Sequence, residues 1–262
     1  MGVKPVRVRL LVLVGLLLVT VLAAFYLRTR VREGNDAAAG SVLKRPVLAD
    51  ELAPFKARWG AARYSSHDEE LFVRDFFADR RGGVFVDIGA GHYRDRSNTC
   101  FLEKELGWSG LAVDPLPELA DGYRRHRPRT KFFTAFVSDV PDGQAALHVG
   151  DNSLFSSADA GFTESYTGVK KTLQVRTVTL DGLLEAEGLT RIDFLSVDVE
   201  LHEPQVFAGF DLGRFRPGLV CVESHPQVRQ QILDYFAKRH YVVVAKYLRA
   251  DPQNLWFAPL PE

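Results

Sequence analysis

Residues 84–93 read VFVDIGAGHY. Val84, Phe85, Val86 and Ile88 surround one acid, Asp87, and the run reads as a strand buried on both faces. It stops abruptly at Gly89 and Gly91. Without Cβ atoms these two residues allow unusual φ values and the close approach of a ligand. A buried strand ending in a glycine loop is the first unit of an open parallel sheet, where ligands bind at the carboxyl ends of strands.

The flanking sequence extends that pattern. Upstream, HDEELFVRDFFADR (67–80) places Leu71, Phe72, Phe76 and Phe77 on one face of a helix, with Ser65 or Ser66 as N-cap. Downstream, Ser97 caps a helix to about Leu106, and Ser109–Val113 is a strand. Pro117 opens a helix to about His126, and Lys131–Val137 is a third strand. Ala145–Val149 and Leu173–Val178 read as extra β segments around a Ser- and Gly-rich loop. A helix over Leu180–Glu187, a strand over Ile192–Val197 and a helix started by Pro204 follow. Leu219–Val222 is a strand and Gln227–Arg239 a helix. Tyr241–Tyr247 and Asn254–Phe257 form a final hairpin turning at Ala250-Asp251-Pro252, which contributes one antiparallel strand. Helices alternating with apolar strands predict an α/β fold, a doubly wound and mostly parallel sheet covered on both faces.

Composition narrows the function. Aromatics at 11% and charged residues at 25% describe a globular chain rather than a disordered one. Net charge is zero but uneven. Residues 1–32 carry six basic residues (Lys4, Arg7, Arg9, Arg28, Arg30, Arg32) and no acid, so the remaining 27 basic residues face all 33 acids. An acidic body is a poor match for a polyphosphate, so nucleic acid is not an expected partner. Cys100 and Cys221 lack metal-ligand spacing, and Cys221, inside the strand-like run GLVCVE, reads as a small buried hydrophobe.

Leu10–Leu27 holds 18 residues without charge, about the minimum for a spanning helix, with arginines at both ends and Tyr26 at an interfacial position. Val21-Leu22-Ala23 resembles a signal-peptide cleavage site. The apolar run continues past it, however, and the Arg28–Arg32 segment makes a poor mature start. The expected organisation is an N-terminal transmembrane anchor (1–32), a linker (33–50) and a folded domain (51–262), with the lipid bilayer as partner through residues 10–27.

The glycine loop decides the cofactor class. A dinucleotide fingerprint needs a third glycine, where this chain has Arg94, and a helix N-terminus aimed at pyrophosphate. Asp87, just before the glycines, would repel pyrophosphate and suits a cationic ligand. S-Adenosylmethionine carries an ammonium and a sulfonium and no phosphate. Asp114 ends the second strand, where a carboxylate accepts hydrogen bonds from ribose hydroxyls. Ser138 and Asp139 end the third, where an adenine amino group is read. The expected cofactor-binding set is Asp87, Gly89, Gly91, Asp114, Ser138 and Asp139.

The chain resembles the FkbM family of S-adenosylmethionine-dependent methyltransferases. The resemblance rests on YSSHDEELFVRDFF, GGVFVDIGAGHY, SNTCFLEKELGWSGLAVDP, VSD, TLDGLL, IDFLSVDVE and FRPGLVCVESH, in order from Tyr64 to His225. It implies a Rossmann-like class I methyltransferase fold with a seven-stranded sheet and the last hairpin inserted at its edge. It also implies O-methylation of a hydroxyl on a sugar, glycan or small metabolite. It further suggests that residues 150–157 fold over the cofactor. Two positions depart from the family pattern. Ser65–Glu70 replaces Ser-Gln-x-Gly-Glu-Asp, and Leu201 stands where Asp-x-Glu-Gly has its glycine. The second departure admits an alternative, a catalytically silent binding protein at a membrane.

Methyl transfer to a hydroxyl requires alignment, exclusion of water and removal of a proton. Candidates cluster after the fourth and fifth strands: Asp198, Glu200, His202 and Glu203, then Glu223 and His225. Asp198, Glu223 and His225 are the expected catalytic or acceptor-positioning residues. Such a cluster could hold Mg²⁺, but a carboxylate-lined cleft equally takes polar ligands, so no metal ligand is assigned. The cofactor is made in the cytosol, so a catalytic body facing that side is the simpler expectation.

Overall fold

The computed structural model describes residues 49–261. The expected membrane span (10–27) and nearly all of the linker lie outside the described residues. Among the described residues no helix is long and apolar enough to cross a membrane.

The chain opens with helices α1 (Ala49–Trp59) and α2 (Glu69–Phe77), then strand β1 (Val84–Ile88). Next come α3 (Cys100–Leu106), β2 (Ser109–Asp114), a 3₁₀ turn (Pro117–Leu119), α4 (Ala120–His126) and β3 (Thr130–Thr134). An insertion holds β4 (Phe136–Val137), β5 (Gln144–Gly150), a 3₁₀ turn (Ser153–Phe155), α5 (Ala160–Thr167) and β6 (Val169–Val178). The fold resumes with α6 (Leu180–Ala186), β7 (Phe194–Val197), α7 (Glu203–Ala208), α8 (Leu212–Phe215), β8 (Leu219–Glu223) and α9 (Arg229–Ala237). It ends with β9 (Tyr241–Val243) and β10 (Asn254–Pro259).

The expected sheet is present. Seven strands run in the order β3-β2-β1-β7-β8-β10-β9, parallel from β3 to β8, with β10 antiparallel to both neighbours. Strand periodicity splits the core between two faces. Val86, Leu111, Leu195 and Val220 pack with α6–α9 on one side. Phe85, Phe194, Cys221 and Trp256 pack with α1–α3 on the other. Both cysteines are free and buried, and burial pushes their thiols up, most strongly at Cys221.

Capping follows the sequence closely. Ser97 Oγ accepts from Cys100 N at 3.1 Å, the first turn of α3. Ser65 Oγ accepts from Glu70 N at 3.1 Å, although the residue immediately before α2 is Asp68 in a left-handed conformation.

Three expectations are corrected. Lys131–Val137 is not one strand. The chain leaves the main sheet after Thr134, and β4 pairs with β6 in a separate sheet of order β4-β6-β5. The cause is packing, because Phe136 joins Leu116, Leu147, Val149 and Val175 in a core of its own. The Ser- and Gly-rich segment between the extra β strands contains helix α5, capped by Asp159 Oδ1 accepting from Phe162 N at 2.9 Å. Finally, the strand expected over Tyr241–Tyr247 stops at Val243. Tyr247 turns inward and its hydroxyl donates to Asp75 Oδ2 at 2.9 Å.

Candidate functional site

Strand order reverses between β1 and β7. The chain winds outward from β1 through β2 to β3, then returns to the other side of β1. Loops leaving the two strands diverge there and open a crevice. A cavity of about 740 Å³ occupies this place, walled by the loops after β1, β2, β7 and β8 and by the insertion.

Gly89 and Gly91 build the rim by different means. Gly89 has φ +76°, and an added Cβ would lie 1.7 Å from the Asp198 carbonyl oxygen. Only hydrogen lets β1 and β7 end side by side. Gly91 has φ +57° and nothing within 4 Å of an added Cβ, so its free side faces open space in the cavity wall. Asp114 fixes this loop. Its Oδ2 accepts from Gly91 N at 3.0 Å and its Oδ1 from Leu116 N at 2.9 Å. Burial lifts its carboxyl to about 6, against the pull of those two bonds.

The three strand-end acids do not form one ring. Asp87 is buried beneath the loop, accepts from Thr99 Oγ1 at 2.8 Å, and is absent from the cavity wall. Burial raises it to about 6, and the Arg127 charge counteracts this. Arg127 is itself buried, bonded to Glu103 Oε2 at 2.5 Å and to Tyr93 O at 2.9 Å, so this network braces residues 93–99 from below. Asp139 is exposed and also lies off the cavity wall. Ser138 is buried, donating to Asp139 Oδ1 at 3.0 Å and lying 3.1 Å from His202 Nε2. The departure of β4 into the small sheet carries both residues past the rim. Phe136 and Val137 line the cavity in their place.

The acids after β7 and at the end of β8 do converge. Asp198, Glu200 and Glu223 line the cavity. Asp198 is exposed to the cavity, at the foot of the surrounding loops. Desolvation there, with the charges of Glu223 and Glu200, pushes its carboxyl well above the usual range. Burial and Glu223 similarly lift Glu200 to about 7, although its hydrogen bond with His225 works against the rise. His225 Nε2 lies 3.1 Å from Glu200 Oε2 and 3.1 Å from Glu223 Oε2. Burial opposes the charged ring, but the two carboxylates outweigh it and lift His225 to about 10.

Glu200 and Leu201 sit in the left-handed region, at φ +53° and +79°. Ser157 Oγ donates to Glu200 O at 2.5 Å and pins this turn. Leu201 thus keeps a conformation in which glycine is unstrained and leucine costs roughly 1–2 kcal/mol. It offsets the strain by packing, partly buried, against the core. The expected result is that Leu201→Gly melts higher than Leu201→Ala, by about 1 kcal/mol, reversing the usual order of these residues. Thermal melts of the two variants check it, and the ordinary order would show that the turn is not strained.

Ser153–Ser156 line the cavity from the insertion. Sequence reasoning missed Ser66, His67, Arg96 and Gln253, which also line it. They come from the loop before α2, the loop before α3 and the turn before β10. Only Arg96, a non-glycine residue at φ +65°, is marked by its backbone, and that shows only in the fold. Asp95, Asp114, Asp198, Glu200 and Glu223 outnumber Arg96 along the wall. An acidic wall, an open glycine loop and a strand-end carboxylate fit a cationic nucleoside without phosphate.

The model of the methyltransferase FkbM domain matches residues 87–243. No curated protein matches the chain. Among solved structures it is similar to a TehB-like SAM-dependent methyltransferase from Corynebacterium glutamicum, at 16% identity and TM-score 0.40, over 80% of this chain and 96% of that one. It is also similar to an O-methyltransferase from Bacillus cereus in complex with SAH, at 14% identity and TM-score 0.39, over 80% of this chain and 89% of that one. The family match spans the glycine loop, Asp114 and the whole carboxylate cluster, and by it this chain belongs to the FkbM family of S-adenosylmethionine-dependent methyltransferases.

Proposed function

We propose that this methyltransferase acts on a hydroxyl of a sugar, glycan or small metabolite. The observation that carries the reading is the set Asp198, Glu200 and Glu223 on the cavity wall beside the glycine loop, with His225 3.1 Å from both glutamates but itself off the wall. The bound cofactor supplies an activated methyl group. The chain's own part is to hold the acceptor and take its proton. Asp198 is the foremost candidate for accepting that proton, with Glu223 and His225 orienting the hydroxyl. Asp87, Gly89, Gly91 and Asp114 serve the cofactor side, Asp87 by bracing the loop from beneath. Phe155 and its neighbours cover the cavity and exclude water.

In the same reading, residues 1–32 anchor the enzyme as a single span, residues 33–50 tether it, and residues 51–262 work at the membrane surface facing the cytosol. The charge-free stretch 10–27 and the cytosolic supply of cofactor support this arrangement.

The test uses the full-length chain in mild detergent. Calorimetric titration with S-adenosylmethionine is expected to give saturable heat. Transfer of labelled methyl to a panel of hydroxylated sugars and metabolites is expected to give an alkali-stable ether. Saturable binding without transfer to any acceptor would favour the silent binding protein that the Leu201 departure admits. No binding at all would remove both readings.

A further inference from the structure

We propose that Glu200 and Glu223 on the cavity wall, together with His225 beside them, form a divalent-cation site. Each offers one ligand atom, and the three atoms lie within 4.8 Å of one another. The imidazole nitrogen is 3.1 Å from an oxygen of each carboxylate. Adjacent ligands of an octahedral ion bound at about 2.1 Å stand roughly 3.0 Å apart, so this spacing suits one cation touching all three. The donor set, one nitrogen and two carboxylate oxygens, fits Mn²⁺ or Mg²⁺ better than a soft metal.

Hydrogen bonding within the cluster is incomplete, which points the same way. A single Nε2–H serves one carboxylate, and it is bonded to Glu200; a cation that takes Nε2 as a ligand displaces this proton to solvent. Glu223 Oε2 is buried with no hydrogen-bond partner. Glu203 is fully buried behind it, and one oxygen accepts from Val199 N at 3.2 Å while the other has no partner. The charges Glu203 feels most are those of Glu223 and His225. Buried carboxylate oxygens without donors are costly, and natural proteins keep few of them. Four acids (Asp198, Glu200, Glu203, Glu223) thus crowd one imidazole, and a dication supplies the positive charge that the cluster lacks.

Three protein ligands leave positions open. Glu200 and Glu223 both border the cavity, so an acceptor hydroxyl there would meet the cation directly and lose its proton more easily. This role rests on the methyltransferase reading, whereas cation binding does not.

The test is therefore made without cofactor or acceptor. Mn²⁺ is titrated into the metal-stripped full-length chain, and the signal of free aqueous Mn²⁺ is followed by electron paramagnetic resonance. The expected result is one saturable site per chain, displaced by excess Mg²⁺ and weakened about 30-fold or more in Glu200→Gln and in His225→Ala. Circular dichroism melts with and without Mn²⁺ accompany each titration. A metal-dependent rise in Tm is expected in the parent chain and not in the variants. If all the Mn²⁺ stays free, or if folded variants bind it as the parent does, the cluster is a closed ion triad and the proposal fails. Saturable heat with S-adenosylmethionine beside a failed Mn²⁺ titration would overturn the cation site alone.

Discussion

Asp114→Ala is expected to lower affinity for S-adenosylmethionine about 1000-fold while the chain still folds. The carboxylate ends β2 at the cavity wall and holds Gly91 and Leu116 by their backbone N–H groups. In the proposed complex it also accepts from the two ribose hydroxyls. Two bonds to a charged acceptor are worth about 4 kcal/mol together, which is about three powers of ten in Kd. The fold loses less. Burial raises Asp114 to about 6. A carboxyl raised in the folded state stabilises fully below its unfolded value near 3.9, and that contribution is lost as pH rises through about 6. At neutral pH its ionised form is a burden on the fold, so removing it offsets much of the cost of two freed N–H groups. The same titration sets the pH dependence of binding. Affinity in the parent chain is expected to fall as pH drops below about 6, where the carboxyl takes up a proton, and this limb should be missing in Asp114→Asn. Calorimetry from pH 5 to 7.5 reads both effects. A variant that binds within tenfold of the parent would place the ribose elsewhere.

Gly89→Ala is expected to cost about 4 kcal/mol and to lower Tm by roughly 10 °C. The added carbon would lie 1.7 Å from Asp198 O and 2.8 Å from Asp198 C, and both atoms belong to backbone. No rotamer relieves such an overlap. The β1 and β7 ends must separate, breaking the bond from Asp198 N to Ile88 O. The φ of +76° adds the strain of a left-handed alanine. Gly91→Ala is the control. It meets nothing within 4 Å, so it pays only the backbone strain, about 1 kcal/mol, and its larger effect falls on cofactor binding. Melting curves of the two variants separate these cases. Equal, small shifts would mean that β1 and β7 do not close as described.

Much of this was legible in the sequence because strands buried on both faces leave continuous apolar runs. VFVDI, GLAVD, FLSV and LVCVE each became a strand of the main sheet. Capping chemistry was equally readable, since Ser97 and Ser65 act within a few residues of the helices they serve. Two failures have one origin. The fate of Phe136 depends on Leu147 and Val175, which lie far along the chain, so no local pattern announces that β4 leaves the sheet. A site role for Asp139 requires β3 to continue, and it lies outside the cavity because the chain turns into β4. Asp87 fell short for a different reason. An acid beside a glycine loop looks the same in sequence whether it faces a ligand or the Thr99 hydroxyl below. Glu223 ends β8 and His225 lies two residues beyond it, so their position could be counted off. Gln253 and His67 come from turns whose reach only the fold reveals.

The position of β10 has a consequence for biosynthesis. It is made after the other six strands of its sheet, yet it is wedged between β8 and β9 and brings Trp256 into one core layer and Phe257 into the other. Until residues 254–259 leave the ribosome, β8 keeps an open hydrogen-bonding edge and β9 has no neighbour. Cooperative closure therefore waits until residues 254–259 have emerged, and for that interval the nascent chain is the form most exposed to chaperones and to strand-pairing errors.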